Sequence, residues 1–303
     1  MKPQVEWFKQ AIPYLQKYRE KCFVIKIGGS LFEKEPDLRQ LVESISALYH
    51  VGIQIVLVHG GGPQLNELSL RLGMKQTMLA GKRVTSSETL ELAKMVYAGK
   101  LNTDFVALLE NCEIPSVGLS GLDGSTIVAS RRPPVKVRDD AQASFQEVDF
   151  GWVGDVERVE PKLLKDLCSR GYVPVLCCLA GDLRGQILNV NADTIAQHVA
   201  VTLQAEKLIA VSSVPGILKD VGDPKSLVSY ADIQMIETMK KDGLIQGGML
   251  PKVDACVAAI RGGVKRAHII SGVEEGSLLT EVFTNEGCGT LIVEKIERNG
   301  NGH

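Results

Sequence analysis

The sequence predicts an α/β fold with a mostly parallel central sheet, and three observations support this prediction. From residue 23 onward, short runs rich in β-branched residues recur along the chain. Most of these runs end in glycine-rich turns. A longer segment with apolar residues at i, i+3 and i+4 then follows, which is the spacing of a helix with one buried face. This alternation is typical of βαβ units, in which a helix joins two parallel strands.

Taken in chain order, the pattern predicts the individual elements. Strands are predicted at 23–27, 53–58, 116–119, 172–176, 207–211, 267–270 and 289–293. Helices are predicted at 38–49, 64–72, 86–112, 161–170, 192–203 and 251–262. Residues 125–160 interrupt the alternation, and we expect β-hairpins and a lid-like excursion there. The tail from Arg298 onward is expected to be disordered.

The first 20 residues predict a separate helix that is apolar on two faces. One stripe consists of Val5, Phe8, Ile12 and Leu15, and the other of Trp7, Ala11, Tyr14 and Tyr18. Pro13 lies inside this helix and is expected to kink it. The helix either packs on its own domain or contacts a neighbouring copy of the chain. Exposure of the four aromatic side chains on a monomer would create an unusually large apolar patch, which favours an interface.

The composition excludes several classes of protein. The 34 lysines and arginines nearly cancel the 36 aspartates and glutamates, so no nucleic-acid partner is expected. The longest apolar run, 173–180, is far shorter than the roughly 20 residues of a membrane span, and charges among the first ten residues argue against a signal peptide. The seven cysteines and five histidines are scattered, which favours free thiols in a reducing, cytoplasmic compartment and no metal site in the protein.

Two glycine motifs follow the first two predicted strands. Lys26 precedes Gly28 and Gly29, and His59 precedes the three glycines 60–62. Because ligands of open α/β sheets lie beyond the carboxyl ends of the strands, these backbones are candidates for binding an anion. The chain has no P-loop motif and no dinucleotide fingerprint, so a different phosphate-binding arrangement is expected.

Five further polar motifs follow in order. They are Gly81-Lys-Arg-Val-Thr, Ser120-Gly-Leu-Asp-Gly, Asn189-Val-Asn-Ala-Asp, Ser212-Ser-Val-Pro-Gly and Gly247-Gly-Met-Leu-Pro-Lys. With the two glycine motifs, this ordered set resembles the amino acid kinase family over residues 23–294. The resemblance implies a three-layer α/β/α sandwich with a mostly parallel central sheet, formed as one continuous domain. Within it we expect a kinked oligomerisation helix over 1–22, a lobe for the amino-acid substrate over 23–186 and a nucleotide-binding lobe over 187–303.

The resemblance also implies roles for individual residues. Lys26 and Lys252 correspond to paired catalytic lysines, and Asp193 to the aspartate that holds both. The substrate-binding residues correspond to Gly61, Gly62, Arg83 and Asn189. The nucleotide-binding residues correspond to Gly28, Gly29, Ser213, Val214, Pro215, Gly216, Ile217, Leu218, Leu244, Ile245 and Gln246.

Within the family, the motifs resemble the branch that phosphorylates the γ-carboxylate of N-acetyl-L-glutamate with ATP in arginine biosynthesis. A carboxylate with a pKa near ~4.3 is ionised at neutral pH and needs no general base. The obstacle to the reaction is the repulsion between this anion and the negatively charged γ-phosphoryl group. Cations and the amides of Gly28, Gly29 and Gly60 to Gly62 are therefore expected around the transferring phosphoryl group. Arg83 would bind the α-carboxylate and Asn189 the acetamido group. Mg²⁺ would be held mainly through the ATP phosphates.

Four residues depart from the pattern of that branch: Leu122, Ser213, Val273 and Gly276. Leu122 stands where the family often has lysine but tolerates change, and Ser213 would alter contacts to the adenine or ribose. Val273 and Gly276 lie near the segment associated with feedback by arginine. Three alternatives stay open: a kinase acting on an aminoadipyl or glutamyl group carried by a small protein, a non-catalytic arginine-sensing domain, and a plain nucleotide-binding protein. The basic residues among 131–138 leave a docking surface for such a carrier open.

The N-terminal helix resembles the one that arginine-inhibited members possess. The resemblance implies a homo-oligomer, a dimer assembled further into a homohexamer as a trimer of dimers. It also implies an arginine effector that bridges this helix to the segment containing Glu281 and Gly287.

Overall fold

An eight-stranded sheet forms the centre of the computed structural model, which describes residues 3–74, 77–79, 82–139, 144–285 and 287–296. The strands are β1 (Cys22–Ile27), β2 (Gln54–His59), β3 (Met78–Leu79), β4 (Lys82–Arg83), β5 (Ser116–Leu119), β6 (Ile127–Arg131), β7 (Val135–Asp139), β8 (Ser144–Val148), β9 (Gly154–Val159), β10 (Val173–Leu176), β11 (Leu179–Gly181), β12 (Ile187–Asn189), β13 (Lys207–Ser212), β14 (Tyr230–Asp232), β15 (Arg266–Ser271) and β16 (Thr290–Val293). The helices are α1 (Pro3–Tyr18), α2 (Glu35–His50), α3 (Gly62–Arg71), α4 (Ser87–Ala93), α5 (Asn102–Asn111), α6 (Lys162–Ser169), α7 (Ala192–Thr202), α8 (Ile233–Lys241), α9 (Met249–Arg261) and α10 (Ser277–Phe283).

The order of strands in the central sheet is β14-β16-β15-β13-β1-β2-β10-β5. Neighbouring strands pair in parallel except β15 with β16, which are antiparallel. The prediction of a mostly parallel sheet is therefore confirmed, as are the seven strands read from the sequence. Five short strands, β3, β4, β11, β12 and β14, and two helices, α8 and α10, were not predicted.

Helices cover both faces of the central sheet and give it three layers. Along β1, Val24 belongs to one hydrophobic core, whereas Phe23, Ile25 and Ile27 belong to the other. This alternation is the period of two that a strand requires when both of its faces are buried. Lys26 points to the same face as Val24, where α7 and α9 pack.

The described parts of 125–160 form antiparallel strand pairs, as the predicted hairpins require. Strands β6 and β9 are antiparallel, and β7 pairs with β8. A second sheet has the order β12-β11-β6-β9. Because β11 and β12 form a hairpin, the expected lobe boundary after residue 186 falls inside that hairpin.

Helix α1 contains Pro13, as predicted, and its second half packs on its own chain. Ala11 and Tyr18 are buried, and the Tyr18 ring lies 5.2 Å from the Phe23 ring. The expectation that Tyr18 is exposed on a monomer is therefore wrong, because its ring fills a gap beside the first strand. The side chains of Trp7 and Phe8 and the tail from Arg298 lie outside the described residues.

All seven cysteines are free, and each is buried or half-buried. Burial raises the pKa of the Cys22 thiol to about 12 and that of Cys168 to about 11. Within the described part of the chain, no helix has the length and apolar character needed to cross a membrane.

Candidate active site

A buried ion pair lies near the carboxyl end of β1. The Lys26 ammonium is 2.8 Å from the Asp193 carboxylate, and both residues are less than one tenth exposed. The Asn191 side chain caps α7 by accepting hydrogen bonds from the backbone N–H groups of Asp193 and Thr194. Since Asn191 takes the capping role, the Asp193 carboxylate is free to pair with Lys26.

Lys252 lies in the first turn of α9 and adds a second cation to this region. Burial lowers the pKa of Lys252, and the charge of Lys26 lowers it further, whereas the charge of Asp193 raises it. Its ammonium donates to the Gly248 carbonyl at 2.9 Å. The structure thus gives a direct contact between Asp193 and Lys26, with Lys252 close enough to feel both charges.

The two glycine loops, Gly28–Gly29 and Gly60–Gly62, lie against each other. A Cβ atom added to Gly29 would lie 2.9 Å from Pro63 Cδ and 3.0 Å from the Gly61 nitrogen. Gln64, in the first turn of α3, donates to the Gly29 carbonyl at 2.9 Å and holds the loops together. Glycine is required at this close approach because any side chain would force the two backbones apart.

Two of the amides expected to bind phosphate are already used. Gly28 N–H donates to the Val211 carbonyl and Gly60 N–H to the Ile27 carbonyl, both at 2.9 Å. These two expectations need correction, because both amides extend the hydrogen bonding of neighbouring strands. Gly62 opens α3, where the first N–H groups of a helix have no intrahelical acceptor and attract anions.

His59 is fully buried beside the second glycine loop. Burial lowers the pKa of His59 to about 4, so the imidazole is neutral at physiological pH. Asn102 Nδ2 lies 3.1 Å from His59 Nε2, which must accept this bond, so Nδ1 carries the hydrogen and faces the Gly60 carbonyl at 3.1 Å. Both ring nitrogens of His59 therefore have protein partners, and the side chain supports the loop.

Arg83 lies on β4 and reaches the second glycine loop. Its Nη2 donates to the Gly62 carbonyl at 3.0 Å and to the Asn66 side-chain oxygen, and Nη1 donates to the Tyr97 hydroxyl at 3.5 Å. Arg83 Nε is buried and has no hydrogen-bond partner among the residues that the structure describes. An unpartnered buried donor is unfavourable, so this part of the guanidinium suits an incoming acceptor such as a carboxylate.

Asn189, at the end of β12, lies near the same segment. Its side-chain Nδ2 donates to the Thr85 hydroxyl at 3.1 Å. Because Arg83 and Thr85 are two residues apart, one short stretch of chain brings the two predicted substrate-binding residues together.

The two predicted nucleotide-binding segments contain exposed residues as well as residues that are buried in the hydrophobic core. Ser213, Val214, Leu244 and Gln246 are exposed, and Pro215 and Leu218 are half-buried. Ile217 and Ile245 are buried in the hydrophobic core, and the Ile217 N–H donates to the Thr290 hydroxyl at 2.8 Å. Gly216 is packed so closely that a Cβ there would lie 2.5 Å from the Thr290 hydroxyl oxygen. In this conformation Ile217 and Ile245 support the segments from beneath, with their side chains turned into the core.

Several side chains at this site were not predicted from the sequence. They are Gln64, Asn66, Thr85, Tyr97 and Asn102, each of which bonds to or packs on a predicted residue. Thr85 ends the motif Gly81-Lys-Arg-Val-Thr, where only Arg83 was given a role, and the other four belong to none of the motifs described above. Among the described residues, no group of three or more His, Cys, Asp or Glu side chains is placed to hold a metal ion.

A second buried charged group, the inner cluster, consists of Lys207, His268 and Glu281. Lys207 Nζ lies 3.0 Å from His268 Nε2, and His268 Nδ1 lies 2.7 Å from a Glu281 oxygen. The other Glu281 oxygen accepts from the backbone N–H groups of Cys288 and Gly289 at 2.8 and 2.9 Å. Burial lowers the pKa of Lys207 to about 8 and that of His268 to about 4.

Comparison with known proteins gives one family and a consistent set of relatives. The model of the amino acid kinase family matches residues 21–271. Acetylglutamate kinase of Myxococcus xanthus is 46% identical over 288 residues, which cover 95% of this chain and 93% of that enzyme. Acetylglutamate kinase of Methanothrix thermoacetophila is 42% identical over 283 residues, covering 93% of this chain and 96% of that enzyme.

A solved structure extends the similarity to the fold. N-acetylglutamate synthase from Neisseria gonorrhoeae, complexed with coenzyme A and N-acetyl-glutamate, superposes with a TM-score of 0.81 at 28% identity. The match covers 96% of this chain and 64% of the synthase, so this chain spans less than two thirds of that protein. The same synthase complexed with coenzyme A and L-arginine gives a TM-score of 0.79 at 25% identity, over 96% of this chain and 65% of the synthase.

Proposed function

Because the chain belongs to the amino acid kinase family, we propose that it transfers the γ-phosphoryl group of ATP to the γ-carboxylate of N-acetyl-L-glutamate, a step of arginine biosynthesis. The products are ADP and N-acetyl-L-glutamyl 5-phosphate. Relatives that are 46% and 42% identical over almost the whole chain carry the name acetylglutamate kinase. The observation that carries the proposal is the Lys26–Asp193 ion pair, which lies beside two glycine loops while Arg83 contacts the second loop.

The chemistry follows from the charges of the reactants. A γ-carboxylate oxygen forms a bond to the γ-phosphorus as the bond from that phosphorus to the β,γ-bridging oxygen breaks. Both reactants are anions, so positive charge and oriented N–H groups stabilise the transition state more than any base would. Lys26, fixed by Asp193, would contact the transferring phosphoryl group, and Lys252 would neutralise charge on the departing ADP.

The two lobes would divide the substrates between them. Residues 23–186 would hold N-acetyl-L-glutamate, with Arg83 at its α-carboxylate and the loop at Gly61 and Gly62 beneath the reacting carboxylate. Asn189, just beyond the lobe boundary, would contact the acetamido group from the second lobe. Residues 187–303 would hold ATP along Ser213–Leu218 and Leu244–Gln246. Mg²⁺ would bind mainly to the ATP phosphates, where it neutralises their charge, and retained water ligands suit its preferences.

An ADP-release assay tests this proposal. We expect activity with N-acetyl-L-glutamate that requires Mg²⁺, and we expect the acyl phosphate to be trapped by hydroxylamine as a hydroxamate. L-Glutamate, L-aspartate, uridine monophosphate and carbamate are the comparison substrates. Turnover of one of these without turnover of N-acetyl-L-glutamate would refute the proposed substrate.

We also infer that arginine regulates the protein through α1 and a homohexamer built as a trimer of dimers. Tyr14 on α1 hydrogen-bonds to Asn285, which joins the helix to the segment after α10. A Cβ on Gly287, whose φ is +62°, would lie 2.7 Å from a Glu281 oxygen, so the residues expected to hold arginine are neighbours. The related synthase has been crystallised with L-arginine. Two residues that depart from the family pattern lie in the loop before α10: Gly276 is the N-cap of this helix, and Val273 lies three residues earlier.

A truncation separates the two parts of this inference. Residues 2–10 are removed and Ala11 to Tyr18 kept, because Ala11 and Tyr18 are buried in the core. We expect light scattering to report a fall from about six protomers to about two, with turnover retained and arginine inhibition lost. An unchanged mass would exclude the role in assembly, and inhibition that survives truncation would exclude the role in feedback.

A further inference from the structure

Helix α4, a π-helical segment (Lys94–Leu101) and α5 form one continuous helical stretch beside the candidate active site. Buried side chains recur along it at every fourth residue: Thr89, Ala93, Tyr97, Leu101, Phe105 and Leu109. In an α-helix of 3.6 residues per turn, each step of four residues rotates the position by about 40°, so these side chains would drift off one face. The wider i→i+5 turns of the π segment counteract this drift.

The π segment places Tyr97 against the second glycine loop. A Cβ added to Gly61 would lie 2.7 and 2.8 Å from the Cδ1 and Cε1 atoms of the Tyr97 ring, and 2.5 Å from a methyl carbon of Leu101. The Tyr97 hydroxyl reaches Arg83 Nη1 at 3.5 Å. One side chain therefore contacts both elements assigned to the amino-acid substrate. π-Helical turns within α-helices are rare and are found frequently at functional sites.

The hydrogen bond from Arg83 to Tyr97 leaves the hydroxyl hydrogen of Tyr97 free to be donated to another group. A guanidinium has donors and no acceptor, so the Tyr97 oxygen accepts and its own hydrogen cannot go to Arg83. Burial raises the pKa of Tyr97, so the phenol keeps that hydrogen at physiological pH. Beside it, the buried Arg83 Nε also lacks an acceptor in the described part of the chain. A carboxylate bound at Arg83 would supply acceptors for both groups.

We propose that Tyr97 is a specificity-determining residue that donates a hydrogen bond from its hydroxyl to the substrate's α-carboxylate at Arg83, while its ring positions the backbone at Gly61. This assignment rests on the proposed function, because it takes the substrate to be an N-acylated amino acid with a free α-carboxylate. The two parts of the side chain have separate roles. The hydroxyl selects the substrate, and the ring holds the loop at which the reaction occurs.

Two substitutions separate these roles. Tyr97→Phe removes the hydroxyl and keeps the ring, so we expect the KM for N-acetyl-L-glutamate to rise about tenfold, with kcat within about twofold and the KM for ATP unchanged. Tyr97→Leu removes the ring as well, so kcat is expected to fall too. Met95→Leu is the matched control, since Met95 lies in the same π segment with an exposed side chain, and it should leave all three parameters unchanged.

A second substrate identifies the group that the hydroxyl contacts. 4-Acetamidobutyrate has the acetamido group and the reacting carboxylate of N-acetyl-L-glutamate but no α-carboxylate. Its KM, or its inhibition constant as a competitor, should be the same for the wild-type protein and Tyr97→Phe, because the contact removed by the substitution is absent from this compound. A tenfold penalty confined to N-acetyl-L-glutamate supports the proposal.

Three results would overturn the assignment. They are unchanged kinetics of Tyr97→Phe, an equal penalty on both compounds, or a fall in kcat of Tyr97→Phe with unchanged KM. Each is measured against a wild-type protein that turns over N-acetyl-L-glutamate, so each leaves the proposed function intact. Failure of the proposed function would instead appear as a wild-type protein inactive on that substrate.

Discussion

The candidate active site and the inner cluster are both buried groups of charged residues, but they differ in their balance of charge. They lie on opposite faces of the central sheet, since Lys26 alternates with Phe23 and Ile25, whereas Lys207 shares the face of Ile209 and Tyr18. The candidate site holds three cations, Lys26, Lys252 and Arg83, and one carboxylate, Asp193, which pairs with Lys26. In the inner cluster, one ammonium and one carboxylate are joined by a neutral histidine.

This difference indicates which group is prepared for a ligand. A buried charge is unfavourable unless it is paired, so an excess of cations is tolerated where an anion is to bind. The excess at the candidate site and the unpartnered Arg83 Nε both fit an anionic substrate and a polyphosphate. In the inner cluster, Glu281 accepts from three protein donors and its charge is already compensated. We therefore expect changes at the first group to affect catalysis and changes at the second to affect stability.

The largest effect is expected from removing the lysines of the candidate site. Lys26→Ala and Lys252→Ala should each lower kcat at least about 100-fold, with smaller changes in KM, because their charges act on the transition state. Lys252→Ala should leave thermal unfolding nearly unchanged, since its amine contacts a backbone carbonyl. Lys26→Ala should also lower the stability, because Asp193 loses the partner at 2.8 Å.

Lys162→Ala is the control for this pair, because Lys162 is an exposed lysine at the start of α6. It should change neither kcat nor stability. Lys26→Ala could instead keep near-normal turnover while its affinity for ATP collapsed. Lys26 would then bind ATP in the ground state, and its charge would not stabilise the transition state.

In the inner cluster, a substitution is expected to lower stability and to leave kcat unchanged. Glu281→Gln keeps the shape of the side chain but removes the negative charge that compensates Lys207. The free energy of unfolding should fall by about 2 kcal/mol, the size of a lost charge-assisted hydrogen bond, while kcat without arginine stays unchanged. Chemical denaturation and the ADP-release assay measure the two quantities on the same sample. Loss of turnover in a folded Glu281→Gln protein would show that the two groups are coupled.

Much of the sheet and part of the site are predictable because their signals are local. Each main strand is a short β-branched run. His59 lies directly before the glycines that follow such a run, and Lys26 lies two residues before Gly28. The spatial meeting of the two glycine loops follows from the parallel pairing of β1 with β2. Local pattern therefore gives the strands, their carboxyl ends and the residues that stand there.

The remaining features depend on contacts between distant residues. Asn102 reaches His59 across 43 positions, and Asn189 reaches Thr85 across 104. The glycine motif marks Gly28 and Gly60 but does not show that strand hydrogen bonds already use their amides. Tyr18 belongs to an apolar stripe in the sequence, and this stripe is the same whether its side chains pack on their own chain or on a neighbouring copy. In each case the partner is chosen by tertiary packing, which a motif does not encode.

The smallest effect, and the last prediction, concerns the pH dependence of stability, to which the two regions should contribute alike. His59 beside the glycine loop and His268 in the inner cluster both have a pKa lowered by burial to about 4. The unfolded chain binds protons on these imidazoles below pH ~6.5, whereas the folded protein does not. The contribution of these two histidines to the free energy of unfolding is therefore fully present above pH ~6.5, and it is lost as the pH falls towards about 4.

Between pH 7.5 and pH 5.5, each histidine should lower the free energy of unfolding by on the order of 1 kcal/mol. The pKa of Glu281 is about 2, because the hydrogen bonds from His268 and two backbone N–H groups outweigh the effect of burial, so this carboxylate does not titrate in that window.

His59→Gln and His268→Gln should each remove about half of the pH dependence attributed to the pair. Leu109→Ala, a buried apolar truncation, should lower stability equally at both pH values. If Leu109→Ala flattened the pH dependence as much as the histidine variants, destabilisation in general would explain the effect. A flattening confined to one histidine would mean that the other is protonated in the folded protein, and the parallel between the two regions would end there.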